Sequence, residues 1–359
     1  MSQEGQSLIN KSKGTLKKFA GAFKYDPSSH FGRGWIISIP VLIGIVALLL
    51  IALSVYWGRE PDLFDVRNAA HQMAGDDVKP KITGYTTTAT LITVADIMLH
   101  KPGGYLSNDV LPPSVFMDNI PSWEFGVLTQ IRDLVRALRN DMSRSQSQSV
   151  ENADLAIAEP QFNFTNDSWL FPPTESEYQK GIESLTHYLN RLVDTSRQDA
   201  QFYARADNLR DWLGVVQKRL GSLSQRLSAS VGQVRVNTDL AGDTGASQST
   251  PTPSEMEVKT PWLDIDNVFY ETRGSTWALI HFLRAVEIDF NDVLQKKNAL
   301  VSLRQIIREL EHTQYTVWSP LVLNGKGFGF VTNYSLIMAS YVSRANAALI
   351  DLSNLLAQG

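Results

Sequence analysis

The chain has 359 residues, 33 basic and 37 acidic, with a formal net charge of −4. It contains no cysteine, which excludes disulfides, thiolate metal sites and a cysteine nucleophile. Six of the basic and two of the acidic residues precede position 35, leaving 27 and 35, about −8, beyond it; a field of that sign does not gather phosphate backbones, so nucleic acid is not an expected ligand.

In chain order, residues 5–25 place Leu16, Phe19 and Phe23 on one helical face, with Lys13, Lys17 and Lys24 on others. A basic amphipathic segment of this kind can lie on anionic headgroups, but Gly14 and Gly21 weaken any helix. A disordered tail whose lysines only set topology is the other reading.

The run from Trp35 to Trp57, WIISIPVLIGIVALLLIALSVYW, holds 23 residues and no Asp, Glu, Lys, Arg or His. A bilayer core of roughly 30 Å needs about 20 apolar residues. Trp35 at one end and Tyr56 and Trp57 at the other fall where amphipathic rings favour the headgroup layer. The run is expected to be a membrane anchor in contact with the lipid bilayer. Residues 1–34 carry Lys11, Lys13, Lys17, Lys18, Lys24 and Arg33 against Glu4 and Asp26, so the amino end is expected in the cytoplasm. In a bacterium, residues 58–359 then lie in the periplasm, attached to the inner membrane. The apolar run is too long for a cleaved signal peptide, and no A-x-A site follows.

Residues 58–84 read as a juxtamembrane spacer with a short helix near Val66–Met73. From Tyr85 the Thr-rich, β-branched start is compatible with a strand, while Leu91, Ala95, Met98 and Leu99 fit a helical face stopped by Lys101-Pro102-Gly103-Gly104. After an irregular stretch, Val127, Ile131, Leu134, Leu138 and Met142 predict the next helix. Thr174 with Glu177 reads as a capping box opening another, with Tyr178, Ile182, Leu185, Leu189 and Leu192 on its apolar face. Leu209, Trp212, Val216, Leu220, Leu223, Leu227 and Val231 form the longest seam, which serves either bundle packing or self-association with a partner chain. Residues 239–254, rich in Ser, Thr, Gly and Pro, read as a flexible linker or insertion. Val268, Thr272, Thr276, Leu279, Leu283, Val286 and Phe290 resume the helical period, with a break expected at Asn291. Leu300, Leu303, Ile307 and Leu310 follow, and a final helix carries Ala339, Ser343, Ala347 and Ala348. The fold class is all-α: one N-terminal transmembrane helix, then a bundle-like domain of about seven helices over residues 85–359.

No nucleophile elbow, zinc-helix histidine pair or Walker loop occurs, and no cofactor motif or metal set stands out. His71, His100, His187, His281 and His312 include no pair at i, i+3 or i, i+4. The glycines at 325, 327 and 329 lack Walker spacing and read as a helix–helix turn. The densest group of unusual residues lies between Lys101 and Glu124. Tyr105, Asn108, Asp109, Trp123 and Glu124 form the candidate binding set there, against the alternative of a connection packed on the bundle.

Together the runs KPGGYLSNDVLPP, DNIPSWEFGVLTQIRDLVRALR, SRSQSQS, ARADNLRDWL and RLGSLSQRLSASVG resemble a proteobacterial family of uncharacterised inner-membrane proteins. The resemblance covers most of the chain from the apolar run onward. It implies one membrane helix and a large domain of unknown function, and it brings no catalytic residues. The expected role is a membrane-tethered interaction or scaffold component of the cell envelope, working with an envelope protein partner by effective concentration. The competing expectation is binding or hydrolysis of cell-wall glycan by carboxylates and stacking aromatics.

Overall fold

The structure is a computed structural model. It describes residues 30–75, 82–145, 150–194, 196, 199–237, 253–319, 321–326 and 329–358, with side chains from residue 39. The amphipathic pattern at Leu16, Phe19 and Phe23, the ring of Trp35 and most of the 239–254 segment lie outside the described residues. The chain divides into two units, residues 1–53 and 54–359.

Helix α1, His30–Trp57, carries the apolar run. Its segment Ile39–Trp57 has a mean hydropathy of 2.7 and none of it is buried. At ~1.5 Å per residue these 19 residues reach about 28 Å, the thickness of a bilayer core. Among the described residues it is the one helix long and apolar enough to cross a membrane.

The second unit is all-α apart from one hairpin. Its helices are α2 (Val66–Ala74), α3 (Tyr85–His100), α4 (Asn119–Ala137), α5 (Ala153–Phe162), α6 (Thr174–Val193) and α7 (Ala206–Ser228). Then come α8 (Ile265–Asp289), α9 (Asn291–Lys296), α10 (Leu300–Glu311) and α11 (Tyr334–Ala357). Side-chain caps start several of them: Asp65 accepts from Arg67 and Asn68 N–H, Asn152 from Asp154 and Leu155, and Asn333 from Leu336. Helix α3 begins at Gly84, which has no side chain to cap with. Its cap comes instead from the far end of α8, where the Asp289 carboxylate accepts from Thr87 N–H at 2.6 Å and Thr87 Oγ1 at 2.7 Å. Burial pushes the Asp289 carboxyl up to about 6, against the pull of those donors.

Helix α8 is the centre of the bundle, buried nearly all round from Val268 to Val286. It packs most closely on α4, at a crossing where Gly126 faces the α8 backbone and Gly274 faces the α4 backbone. The helical period read over 268–290 is this core: Thr272 and Thr276 sit inside it, each hydroxyl donating to a carbonyl four residues back. The break expected at Asn291 is the α8–α9 junction.

Alternatives left open by the sequence are decided here, and one expectation, the capping box, is corrected. The seam of α7 is bundle core: Leu209, Trp212, Val216, Leu220, Leu223 and Leu227 are all buried within this chain, against α11 above all, and Val231 is exposed. Self-association through those six side chains would require unpacking the helix. The capping box at Thr174 does not form, because the Thr174 hydroxyl accepts from Ser168 N–H and ties down the preceding loop. Glu177 pairs instead with Lys180. The segment around 239–254 is flanked by strands, β1 (Gln233–Val236) and β2 (Glu255–Val258), antiparallel with Gln233 opposite Val258. Finally, the described part of the 58–84 spacer is packed on the domain, through the contacts below.

Candidate functional site

Two features meet where α1 ends. The first is the Lys101–Glu124 stretch. Lys101 Nζ lies 2.5 Å from Glu124 Oε1, and both side chains are fully buried. The Glu124 carboxylate also accepts from Leu106 N–H and Ser107 N–H, both at 2.9 Å, and from the Ser107 hydroxyl at 2.5 Å. Burial pushes the Glu124 carboxyl above its ordinary range, and Lys101 with the three other donors pulls it back. These bonds fold the KPGGYLSND loop back onto α4.

The remaining candidates in this stretch are also turned inward. The Tyr105 hydroxyl donates to Asn166 O at 3.0 Å, and its ring meets Tyr178 edge-on at 5.8 Å. Asn108 Nδ2 donates to Ser168 O and Glu175 Oε2. Trp123 is buried against Trp277, 5.2 Å between centroids. Asp109 alone of the five is partly exposed, in a shallow depression with His100 and Glu175. Tyr105 and Trp123 therefore present no face on which a sugar could stack, and the candidate binding set is a structural knot joining α3, α4 and the loop before α6.

The second feature escaped the sequence reading: residues 60–64 run along α8 as an extended strap. Arg273 clamps the Glu60 carboxylate through Nε and Nη2, and its Nη1 donates to Thr313 O and Tyr315 O, both at 2.9 Å. Trp277 Nε1 donates to Asp62 O at 3.3 Å. Phe64 N–H donates to His281 Nε2 at 3.0 Å, while His281 Nδ1 bonds Trp277 O at 2.8 Å and the Phe64 ring stacks on the imidazole. Every second strap residue thus meets every fourth residue of α8. The spacings agree, since two extended residues cover about 6.6 Å and four helical residues about 6.0 Å. His281 serves as a neutral ring with Nδ1–H donating and Nε2 accepting, and burial pushes its pKa down to about 3.

Beside the strap lies a cleft of about 710 Å³ lined by Gly58, Glu60, Tyr270, Gln314 and Val317. Within it, Arg273 is committed to Glu60 and two backbone carbonyls. Among the described residues, no three His, Asp or Glu side chains gather as a metal set.

The strap joins the end of α1 to the central helix with no slack, and α1 lies inside the span that comparison with known families picks out. A family described as an uncharacterised protein conserved in bacteria (DUF2333) matches residues 30–359. The chain belongs to that family. The match takes in α1, the strap and every helix of the domain, so the family includes the apolar helix together with the bundle. No curated protein and no solved structure matches the chain.

Proposed function

We propose that this protein is a single-pass anchor of the bacterial inner membrane that holds a helical interaction domain in the periplasm. The observation that carries the reading is α1: 19 residues of mean hydropathy 2.7, none of them fully buried, following six basic residues and two acidic ones. The strap supports a tethering role. A domain fixed by Arg273, Trp277 and His281 directly after the span stays within a short reach of the membrane, which raises its effective concentration for an envelope partner there.

Because the chain has no cysteine, its orientation can be read with one introduced thiol. Val150, 94% exposed, is a suitable position for Val150→Cys in the full-length protein. A membrane-impermeant maleimide that passes the outer membrane is expected to label it in intact cells. Labelling only after the inner membrane is lysed would overturn the orientation. In-cell crosslinking from the same position tests the interaction role: reproducible recovery of one envelope protein supports it. Recovery of none, with the purified protein retained on cell-wall sacculi, would replace it by the glycan reading.

A further inference from the structure

The end of α1 is fixed to one edge of the unit formed by residues 54–359. The Trp57 ring lies over Gly103, where an added Cβ would meet ring carbons at 2.7 and 3.0 Å and where φ is +88°. Gly58 faces Met117, with 3.7 Å from its own added Cβ to the Met117 methyl. The strap then carries Glu60 to Arg273, whose Nη1 holds Tyr315 O, and Val317 lines the cleft beside Gly58. The exit of α1 is therefore bordered by two loops, one of residues 109–118 and one carrying residues 315–319 and 321.

Both loops present large apolar side chains outward. Leu111 is 70% exposed and Phe116 80%, while Trp318 is 90% and Leu321 70% exposed. Val115 and Tyr315 beside them are also more than half exposed. Single exposed apolar residues need no explanation, but six on two loops flanking one point form a patch that does. The 109–118 loop is built to hold its side chains out: a 3₁₀ turn at Ser114–Phe116 is closed by Phe116 N–H to Pro113 O and Met117 N–H to Ser114 O, and Ser114 Oγ donates to Leu111 O.

We infer that these two loops are a membrane-docking rim, which inserts Leu111, Phe116, Trp318 and Leu321 into the headgroup layer of the bilayer that α1 crosses. The inference rests on α1 spanning a membrane. The occupant follows from connectivity: Trp57 ends the span and is packed into the same edge, so the lipid–water boundary comes to these loops without an intervening linker. The chemistry agrees, since Trp and Tyr with Leu and Phe are the side chains that partition into this boundary layer. Arg59, exposed next to the exit, suits anionic headgroups. A covalently held surface needs little intrinsic affinity to stay docked.

The test uses single thiols in the full-length protein: Phe116→Cys, Trp318→Cys and, as reference, Val301→Cys. Val301 is 77% exposed and sits at the start of α10, the end of that helix remote from Tyr315. Each variant carries an environment-sensitive fluorophore and is reconstituted into phosphatidylcholine–phosphatidylglycerol vesicles with or without nitroxide-labelled lipid. Positions 116 and 318, exposed in the isolated fold, tolerate the label. About two-fold or greater quenching is expected at 116 and 318, with none at 301. Protein that floats with the vesicles but shows no more quenching at 116 and 318 than at 301 would overturn the docking rim alone. Failure to float would overturn the spanning helix beneath it. Labels shielded from aqueous quencher in native membranes yet unquenched in pure lipid would assign the rim to a protein partner and overturn the lipid assignment.

Discussion

At the crossing of α4 and α8 a side chain is excluded by backbone. A Cβ on Gly126 would sit 2.0 Å from Glu271 O and 2.7 Å from Ser275 N; one on Gly274 would sit 1.9 Å from Trp123 O. Non-bonded heavy atoms settle at about 3.5 Å, so alanine at either position pushes the helices apart by more than roughly 1 Å. The crossing is flanked by the Trp123–Trp277 contact and by the Gln130–Ser275 hydrogen bond of 2.9 Å, and both are strained by that shift. Overpacking of this kind costs about 1–3 kcal/mol and a weakened buried hydrogen bond about 1 kcal/mol more. Replacing a mid-helix glycine returns roughly 1 kcal/mol of propensity, so Gly126→Ala and Gly274→Ala are each expected to destabilise by about 2 kcal/mol. Gly214, inside α7, has nothing within 4 Å of its added Cβ. Gly214→Ala should therefore stabilise by up to about 1 kcal/mol. Urea unfolding of the full-length protein in detergent, followed by circular dichroism, reads all three midpoints. The signs decide: if Gly126→Ala and Gly274→Ala move the midpoint upward like Gly214→Ala, the helices do not meet at backbone distance and the crossing is wrong.

Acid should weaken the fold through His281. Its native pKa is about 3 and its unfolded value about 6.5, so the unfolded chain takes the proton first and stability falls as pH drops from 6.5 towards 3, by about 2 kcal/mol at pH 5. Asp289 acts oppositely, gaining native protonation between about 6 and its unfolded value near 4, so the comparison of wild type with His281→Gln at each pH isolates the histidine. An unchanged pH slope in His281→Gln would refute the neutral buried ring. Lys101→Met leaves the buried Glu124 carboxylate with its Leu106 and Ser107 donors but no counter-charge, and should cost about 3 kcal/mol at neutral pH. Since the native Glu124 carboxyl is then raised further, the deficit should shrink as pH falls and the carboxyl is neutralised; denaturation midpoints that differ equally at pH 8 and pH 5 would argue against it. Arg273→Met should release the strap, with hydrogen exchange at Phe64 rising about tenfold or more while α7 stays protected, and uniform exchange across both would show that Arg273 holds the whole core instead.

What was legible in the sequence followed from periodicity. Helix α8 announces itself through Val268, Leu279, Leu283 and Val286, and α7 through its seam, because one buried stripe repeats over many turns. The strap was missed because two of its three hydrogen-bonded contacts are made by backbone groups of Asp62 and Phe64, to which composition gives no clue. A signal existed on the other side: Arg273, Trp277 and His281, four apart on a helix buried nearly all round, each carry a donor or acceptor that burial obliges to find a partner. At 105–124, where a binding set stood against a connection packed on the bundle, the burial fits the packed connection. Aromatic and amide residues between glycines and prolines suggest a binding loop, but Glu124 and Asn108 use the same chemistry to satisfy the loop's own amides and its neighbours' carbonyls. The capping box at Thr174 lost to tertiary context, since the hydroxyl had a nearer donor in Ser168.

The strap also bears on the proposed role of α1 as an anchor. An anchor needed only to retain a domain at the membrane could be joined by any flexible segment, and such a joint would place no demand on residues 58–64. Here three successive contacts commit that segment to the most buried helix of the bundle, and the first of them, Glu60–Arg273, is an ion pair whose guanidinium also holds the loop at 313–315. A buried pair of this kind adds little stability over apolar packing, so its use is better sought in what it fixes. It fixes the loop bearing Tyr315 and Trp318 to the residues that follow α1. The same edge is closed on its other side by Trp57 against Gly103 and Gly58 against Met117, beside the loop bearing Phe116. Two loops with exposed apolar side chains are thereby tied to a single short segment, which a flexible tether could not do.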